Sequence, residues 1–242
     1  MAEFDAGFLV GRDWLVGIDE AGRGALAGPV CAAAAAVSER LYKNPGALSL
    51  LGDLDDSKRL SASARERIFS DLQALKKAGY LDFEAAFASV EEIERENILA
   101  ATQIAMGRAC AALDGRMGLS LRPAGAAATL FGESGVDAAR AEVLIDGVPA
   151  KKFPYFHKAV VKGDANSLAV AAASVVAKVS RDAIMSELSA KYPRYGFDAH
   201  KGYGTAAHLQ ALMLFGPSPI HRRSFLKMLR PDSSRTVQTE LF

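Results

Sequence analysis

The chain has 242 residues and 25.6 kDa, half of them hydrophobic, with 29 basic against 28 acidic side chains and a net charge of +1. This composition excludes intrinsic disorder. The lack of any run of ~18 or more uninterrupted apolar residues argues against a membrane span. The opening MAEFDAGFLVGRDW carries acids where a secretory leader carries bases, so a cytoplasmic protein is expected. Cys31 and Cys110, each in an Ala-rich context, read as buried free thiols of a reducing compartment. The near-zero net charge hides an asymmetry: residues 151–230 hold 13 Lys and Arg against 4 Asp and Glu, together with all four histidines. A polyanion contact is expected of that part of the surface.

Trp14–Ile18 is a short apolar run that stops at Asp19-Glu20 and AGRG, a pattern for a buried strand delivering polar groups at its end. Pro29–Val37 follows as a second strand. Its Ala32–Ala36 core is a poor strand former, but Gly28-Pro29 points to a hairpin-like return. Ser63-Ala-Arg-Glu66 has the spacing of a capping box opening a helix with Ile68, Leu72 and Leu75 on its inner face. Leu81–Val90 reads as a strand. Glu91–Leu113 reads as one long amphipathic helix with Ile98, Thr102, Ala105, Ala109 and Leu113 along one stripe.

Gly115–Arg140, rich in Gly, Ala and Ser, has weak periodicity and reads as a surface excursion. Val143–Ile145 ends at Asp146, and Ala159–Val161 ends at Lys162-Gly163-Asp164. Asn166–Ala190 is expected to be helical, with Asp164 or Asn166 as its cap. Shorter helices are expected over Thr205–Phe215 and Ser218–Leu229, and Pro231 opens a polar tail.

Three strand-like runs thus end in carboxylates: Asp19 with Glu20, Asp146, and Asp164. Sites in α/β proteins assemble at strand ends and the loops beyond them. Acids gathered there repel unless cations lie between them. Oxygen donors without a Cys–His pattern suit Mg²⁺ or Mn²⁺ rather than zinc, and a pair of such ions ~3.5–4 Å apart is standard machinery for phosphodiester hydrolysis. Consecutive strand residues face opposite sides. Asp19 and Glu20 therefore reach one site only if the pleat breaks at Glu20, or if Glu20 contributes through its backbone.

The string GIDEAGRGALAGPV resembles the first motif of bacterial ribonuclease HII, a type 2 ribonuclease H. The resemblance continues in order through DSKRLS (56–61), ENILAAT (96–102), LIDG (144–147), VVKGDANSLAVAAASVVAKVSRD (160–182), YGFDAHKGYGTAAH (195–208) and GPSPIHRRSF (216–225). It covers about residues 14–228. The resemblance implies an α/β, ribonuclease H-like fold: a five-stranded mixed sheet flanked by helices, with a C-terminal helical extension. It implies cleavage of the RNA strand of RNA–DNA hybrids, and of duplex DNA on the 5′ side of a single embedded ribonucleotide, leaving 3′-hydroxyl and 5′-phosphate ends. The family's metal-binding catalytic carboxylates fall on Asp19, Glu20, Asp146 and Asp164. Its 2′-hydroxyl-reading backbone falls on Gly22, Arg23 and Gly24, and its junction-sensing tyrosine on Tyr203. Close backbone donors and acceptors suit recognition of the hydroxyl that separates RNA from DNA.

Lys58 is a candidate phosphate contact, whereas Asp182 reads as an ion-pair partner within a helix rather than a ligand. The expected organisation is an N-terminal extension (1–12), a catalytic domain (13–190), a helical region packed on it (191–230) and a flexible tail (231–242). The tail ends in Gln238-x-x-Leu241-Phe242, which resembles the short peptides that dock replication and repair proteins on the sliding clamp. A monomeric enzyme serving ribonucleotide excision repair is expected. The competing readings are a ribonuclease H-like nuclease with another substrate, a non-catalytic nucleic-acid-binding module, and, with little support, a glycosidase built on paired acids.

Overall fold

The computed structural model describes residues 1–54, 60–125 and 140–227. A short helix, α1 (Ala2–Ala6), precedes β1 (Trp14–Ala21) and β2 (Val30–Ser38). Two single-turn helices, α2 (Glu39–Tyr42) and α3 (Pro45–Ser49), lead to α4 (Ala62–Lys77) and β3 (Leu81–Ala88). Then come α5 (Val90–Glu96), α6 (Ile98–Met117), β4 (Ala141–Asp146) and β5 (Lys158–Val160). The turn α7 (Gly163–Asn166) precedes the longest helix, α8 (Leu168–Lys191), and α9 (Phe197–His200), α10 (Ala206–Phe215) and α11 (Arg223–Lys227) complete the described chain.

The strands form one five-stranded sheet in the order β3-β2-β1-β4-β5. The β1–β2 and β2–β3 pairs are antiparallel, and the β1–β4 and β4–β5 pairs are parallel. This is the mixed sheet the resemblance implied. Side-chain alternation divides the core in two. Leu15, Ala33, Ala35 and Leu144 pack with α4 and α8, whereas Val16, Ile18, Ala34 and Ile145 pack with α6. Every residue of β2 is buried, including Ala32–Ala36. The alanines, weak strand formers by propensity, are accommodated because helices cover both faces, and small side chains let those helices lie close.

Gly17 at the centre of β1 shows how close: a Cβ there would stand 2.1 Å from the carbonyl carbon of Ala169 in α8. The N-terminus of α8 is anchored by the buried Asp5 of α1. Its carboxylate accepts from Leu168 N–H at 2.9 Å and from the Tyr42 hydroxyl at 2.7 Å. A carboxylate satisfying free N–H groups at a helix start is favoured by hydrogen bonding and by the helix dipole. Residues 1–12, expected as an extension, thus tie into the sheet-covering helix.

Four local expectations are corrected. The single helix over Glu91–Leu113 is two, α5 and α6, broken at Asn97, whose φ is +69° and whose side chain caps α6 by accepting from Leu99 and Ala100 N–H. Apolar periodicity runs through the break because both helices face the same core. Helix α4 is capped by Ser61, not Ser63, and the true capping box is Ser89 with Glu92 at the start of α5. Helix α8 is capped by Ser167 rather than Asp164 or Asn166, which belong to α7. The last described helix begins at Arg223, not Ser218, because the Ser218 N–H and hydroxyl are bound to His221. Most of the expected 115–140 excursion lies outside the described residues, but Leu119 and Leu121 at its start are buried in the core beneath α6.

Candidate active site

Asp19 lies near the end of β1 on the α8 side of the sheet, Asp146 ends β4, and Asp164 sits in α7 just beyond β5. Parallel pairing of β1, β4 and β5 brings these ends side by side, and one carboxylate oxygen from each residue lies within 4.8 Å of the others. Asp164 is placed by a sharp turn in which Lys162 adopts a left-handed conformation, φ +55°, and Gly163 N–H donates to Asp146 Oδ1 at 2.6 Å.

Asp19 is wholly buried. Its carboxyl is held well above the usual carboxylate range, first by burial, then by the neighbouring charges of Glu20 and Asp146, against hydrogen bonding from Ser174 and Glu20 N–H. Oδ1 accepts from Glu20 N–H at 2.7 Å, while Oδ2 is buried with no hydrogen-bond partner among the described residues. A buried acceptor left without a donor costs free energy. A cation in contact with it would remove that cost, and the donor set is all oxygen, as hard divalent ions require. The three residues therefore fit a Mg²⁺- or Mn²⁺-type centre.

Pairing of β1 with β2 continues unbroken through Glu20 and Ala21, so the pleat does not break at Glu20. Glu20 stands outside the group of three oxygens and pairs with Arg23, 2.9 Å away. It lines a cavity with Thr102, Gln103 and Asp146 on the α6 side, and it also borders a larger one of about 660 Å³. That larger cavity is lined by Gly22, Arg23, Gly24 and Tyr203, together with Arg65 and Lys178. The two sequence-separated motifs, GRG and, through Tyr203, GYGT, thus meet across one space beside Glu20. Arg65 and Lys178 carried no sequence signal beyond their charge. Asp182 pairs with Lys178 at 2.7 Å, in keeping with the structural role expected of it. Lys58, Gln238, Leu241 and Phe242 lie outside the described residues.

The loop that runs from the GRG segment into β2 is held by two buried arginines that sequence reading did not single out. Arg181 donates to the carbonyls of Pro29, Ala27 and Lys201, at 3.0, 3.2 and 2.9 Å. Arg222 donates to Gly28 at 3.0 Å and to Arg23 at 2.9 Å. Gly22, φ +92°, is required here: a Cβ would fall 1.9 Å from Arg181 Nε. Burial pushes the Arg222 guanidinium down to about 9. Both cysteines are buried free thiols, and burial pushes Cys31 up to about 12 and Cys110 further still. Among the described residues no helix is long and apolar enough to cross a membrane.

A family model described as Ribonuclease HII matches residues 16–118 and 126–228. The chain is 46% identical over 221 residues to a ribonuclease HII of Magnetococcus marinus, covering 90% of this chain and 87% of that protein. Among solved structures it is similar to the ribonuclease H2 of Pyrococcus horikoshii, with a TM-score of 0.57 and 23% identity over 90% of this chain and 100% of that one. It is likewise similar to the RNase HII in a PCNA:RNase HII complex from Archaeoglobus fulgidus, with a TM-score of 0.60 and 21% identity over 91% and 98% of the two chains. The structural likenesses establish the ribonuclease H-like fold, and the family match with the close sequence relative establishes more: the chain belongs to the ribonuclease HII family, the type 2 ribonucleases H.

Proposed function

We propose that the protein hydrolyses the RNA strand of RNA–DNA hybrids and cuts duplex DNA on the 5′ side of a single embedded ribonucleotide. The observation that carries this reading is the shared cavity: the GRG segment and Tyr203 border one space with Glu20, and Glu20 and Arg23 also border the second cavity, which Asp146 of the three-aspartate group lines. Asp19, Asp146 and Asp164, with Glu20 beside them, would hold two divalent cations. When bound, these supply positive charge for the phosphate oxygens and acidify a coordinated water.

The chain's own residues do the selecting. Gly22 and Gly24 let the backbone approach the ribose closely enough to exchange hydrogen bonds with the 2′-hydroxyl. Arg23 supplies a guanidinium for phosphate. The Tyr203 ring packs on the sugar of the next nucleotide, where a second 2′-hydroxyl would crowd it. Arg65, Lys178 and Lys58 would contact phosphates along the strand. Hydrolysis joins the water oxygen to phosphorus and breaks the bond to the preceding 3′-oxygen, which leaves as a 3′-hydroxyl opposite a 5′-phosphate.

The test is end-mapping of products from a duplex with one ribonucleotide, beside the same duplex with 2′-O-methyl at that position. Cleavage of the first on the 5′ side with a 3′-hydroxyl, and none of the second, supports the reading. Cleavage of both, or of all-DNA duplex, overturns it.

We further infer a cytoplasmic, monomeric repair enzyme that docks on the sliding clamp through Gln238, Leu241 and Phe242. The Gln-x-x-Leu-Phe pattern supports this, as does the complex with PCNA formed by the Archaeoglobus protein of the same fold. An anchor this short should bind at about micromolar strength.

A further inference from the structure

Tyr203 sits between two glycines, Gly202 with φ +80° and Gly204, and local bonds hold its backbone, with its N–H donating to the His200 carbonyl at 3.0 Å and its carbonyl accepting from Thr205 N–H at 2.8 Å. Histidine side chains add a second support, through the Tyr203 carbonyl. His208 is fully buried and His221 almost so, and their Nε2 atoms lie 3.0 Å apart. His221 Nδ1 faces the backbone N–H of Ser218 at 2.9 Å, and His208 Nδ1 faces the carbonyl of Tyr203 at 2.9 Å.

These partners leave a single consistent arrangement of protons. A backbone N–H only donates, so His221 Nδ1 accepts and its proton is on Nε2. That proton is donated to His208 Nε2, which must then be bare, and His208 carries its own proton on Nδ1 for the Tyr203 carbonyl. His200 completes the backing. Stacked on His208 with centroids 4.4 Å apart, it accepts from Gly202 N–H at 3.3 Å and donates to the Tyr195 carbonyl at 2.8 Å. Phe197 meets His208 edge-on beneath them, at 5.4 Å.

We propose that His208 and His221 are positioning residues for Tyr203: a directional relay from Ser218 N–H through both imidazoles fixes the Tyr203 backbone, and with it the angle at which the ring meets the nucleotide beyond the scissile phosphate. The inference rests on the reading of Tyr203 as the junction-sensing ring. Neither histidine lines the cavity or borders the carboxylates, so the relay acts on discrimination between substrates rather than on bond cleavage.

The test uses the full-length protein at about pH 8, where imidazoles are neutral. It measures the ratio of kcat/KM on a duplex with one ribonucleotide to that on a uniform RNA–DNA hybrid. His208→Phe keeps a ring but removes the donor, and should lower the ratio by about tenfold, the worth of one well-placed hydrogen bond. His208→Asn, whose amide restores a donor near Nδ1, should recover most of it. Tyr203→Ala is run alongside. If Tyr203→Ala lowers the ratio but His208→Phe changes both substrates equally, or Asn fails to rescue, the relay proposal is wrong while the reading of Tyr203 stands. If Tyr203→Ala leaves the ratio unchanged, that reading fails and takes the proposal with it. Imidazole ¹⁵N shifts of the unmodified protein give a readout independent of any substrate. His208 as the Nδ1–H tautomer and His221 as the Nε2–H tautomer support the relay, and the reverse assignment overturns it.

Discussion

Arg222 Nη1 donates to the carbonyl oxygen of Arg23 at 2.9 Å, joining a buried guanidinium near the C-terminal end of the described chain to the middle of the GRG segment. Its Nε holds Gly28 at the same time. The two bonds tie the middle of the GRG segment to Gly28 further along the loop, and they need the planar fork that only arginine offers. Arg222→Lys keeps the charge but reaches at most one of those carbonyls. It should cost about 2–3 kcal/mol in urea unfolding and lower activity on a uniform hybrid by roughly tenfold or more. Unchanged stability and activity would mean the two bonds are dispensable.

Gly17 lies where β1 and α8 come closest, and an added Cβ would meet backbone atoms that cannot swing aside. Gly17→Ala should therefore cost more than the ~1–3 kcal/mol of ordinary overpacking, seen as a large loss of soluble protein or a much lower urea midpoint. A variant within about 1 kcal/mol of the parent would show that α8 can slide on the sheet.

The carboxylate site was legible in the sequence because apolar runs stopping at acids are a one-dimensional trace of strand ends. Parallel pairing then had only to bring those ends together. GRG and Tyr203 were legible through motif resemblance, not through periodicity. What escaped reading has a common physical character. Asp5, Arg181 and Arg222 are polar groups buried by partners distant in sequence, and a single chain gives no sign that a Leu168 N–H or a Gly28 carbonyl awaits them. The break at Asn97 escaped because hydrophobic spacing reports the buried face and not the backbone. Its one clue was Asn, a favoured cap. The histidine relay lay in a stretch of short helices where no period predicts which rings meet.

Asp19 gives a pH signature with a definite sign. Its folded-state carboxyl titrates above its unfolded value, so the stability it allows is fully present below about pH 4 and is lost as pH rises through the folded pKa. In metal-free buffer, Asp19→Asn should be more stable than the parent near neutral pH, since its amide can still face the Asp146 and Asp164 oxygens. The difference should close on acidification toward about pH 4. Thermal unfolding of both proteins across that range checks it. A variant less stable at every pH contradicts the account of burial and charge crowding. The histidines act in the opposite sense: His221, held down to about 4 by burial and by His208, makes the parent lose stability as pH falls from about 6.5.

Removing residues 238–242 should leave cleavage of short oligonucleotides unchanged and abolish clamp binding in a calorimetric titration. No binding by the full-length chain at high micromolar clamp would end the docking idea.

The most direct test of the central claim, that Asp19, Asp146 and Asp164 form a cation-dependent ribonuclease centre, is the cleavage rate of a duplex carrying one ribonucleotide by the parent and by Asp146→Asn. The rates are measured with Mg²⁺, with Mn²⁺ and with excess chelator. Asparagine retains an oxygen to accept from Gly163 N–H, so the variant should stay folded. The account predicts parent activity with either metal, none in chelator, and a loss of at least ~10³-fold in the variant with its fold intact. Strong cleavage in chelator, or near-parent rates from Asp146→Asn, would contradict it.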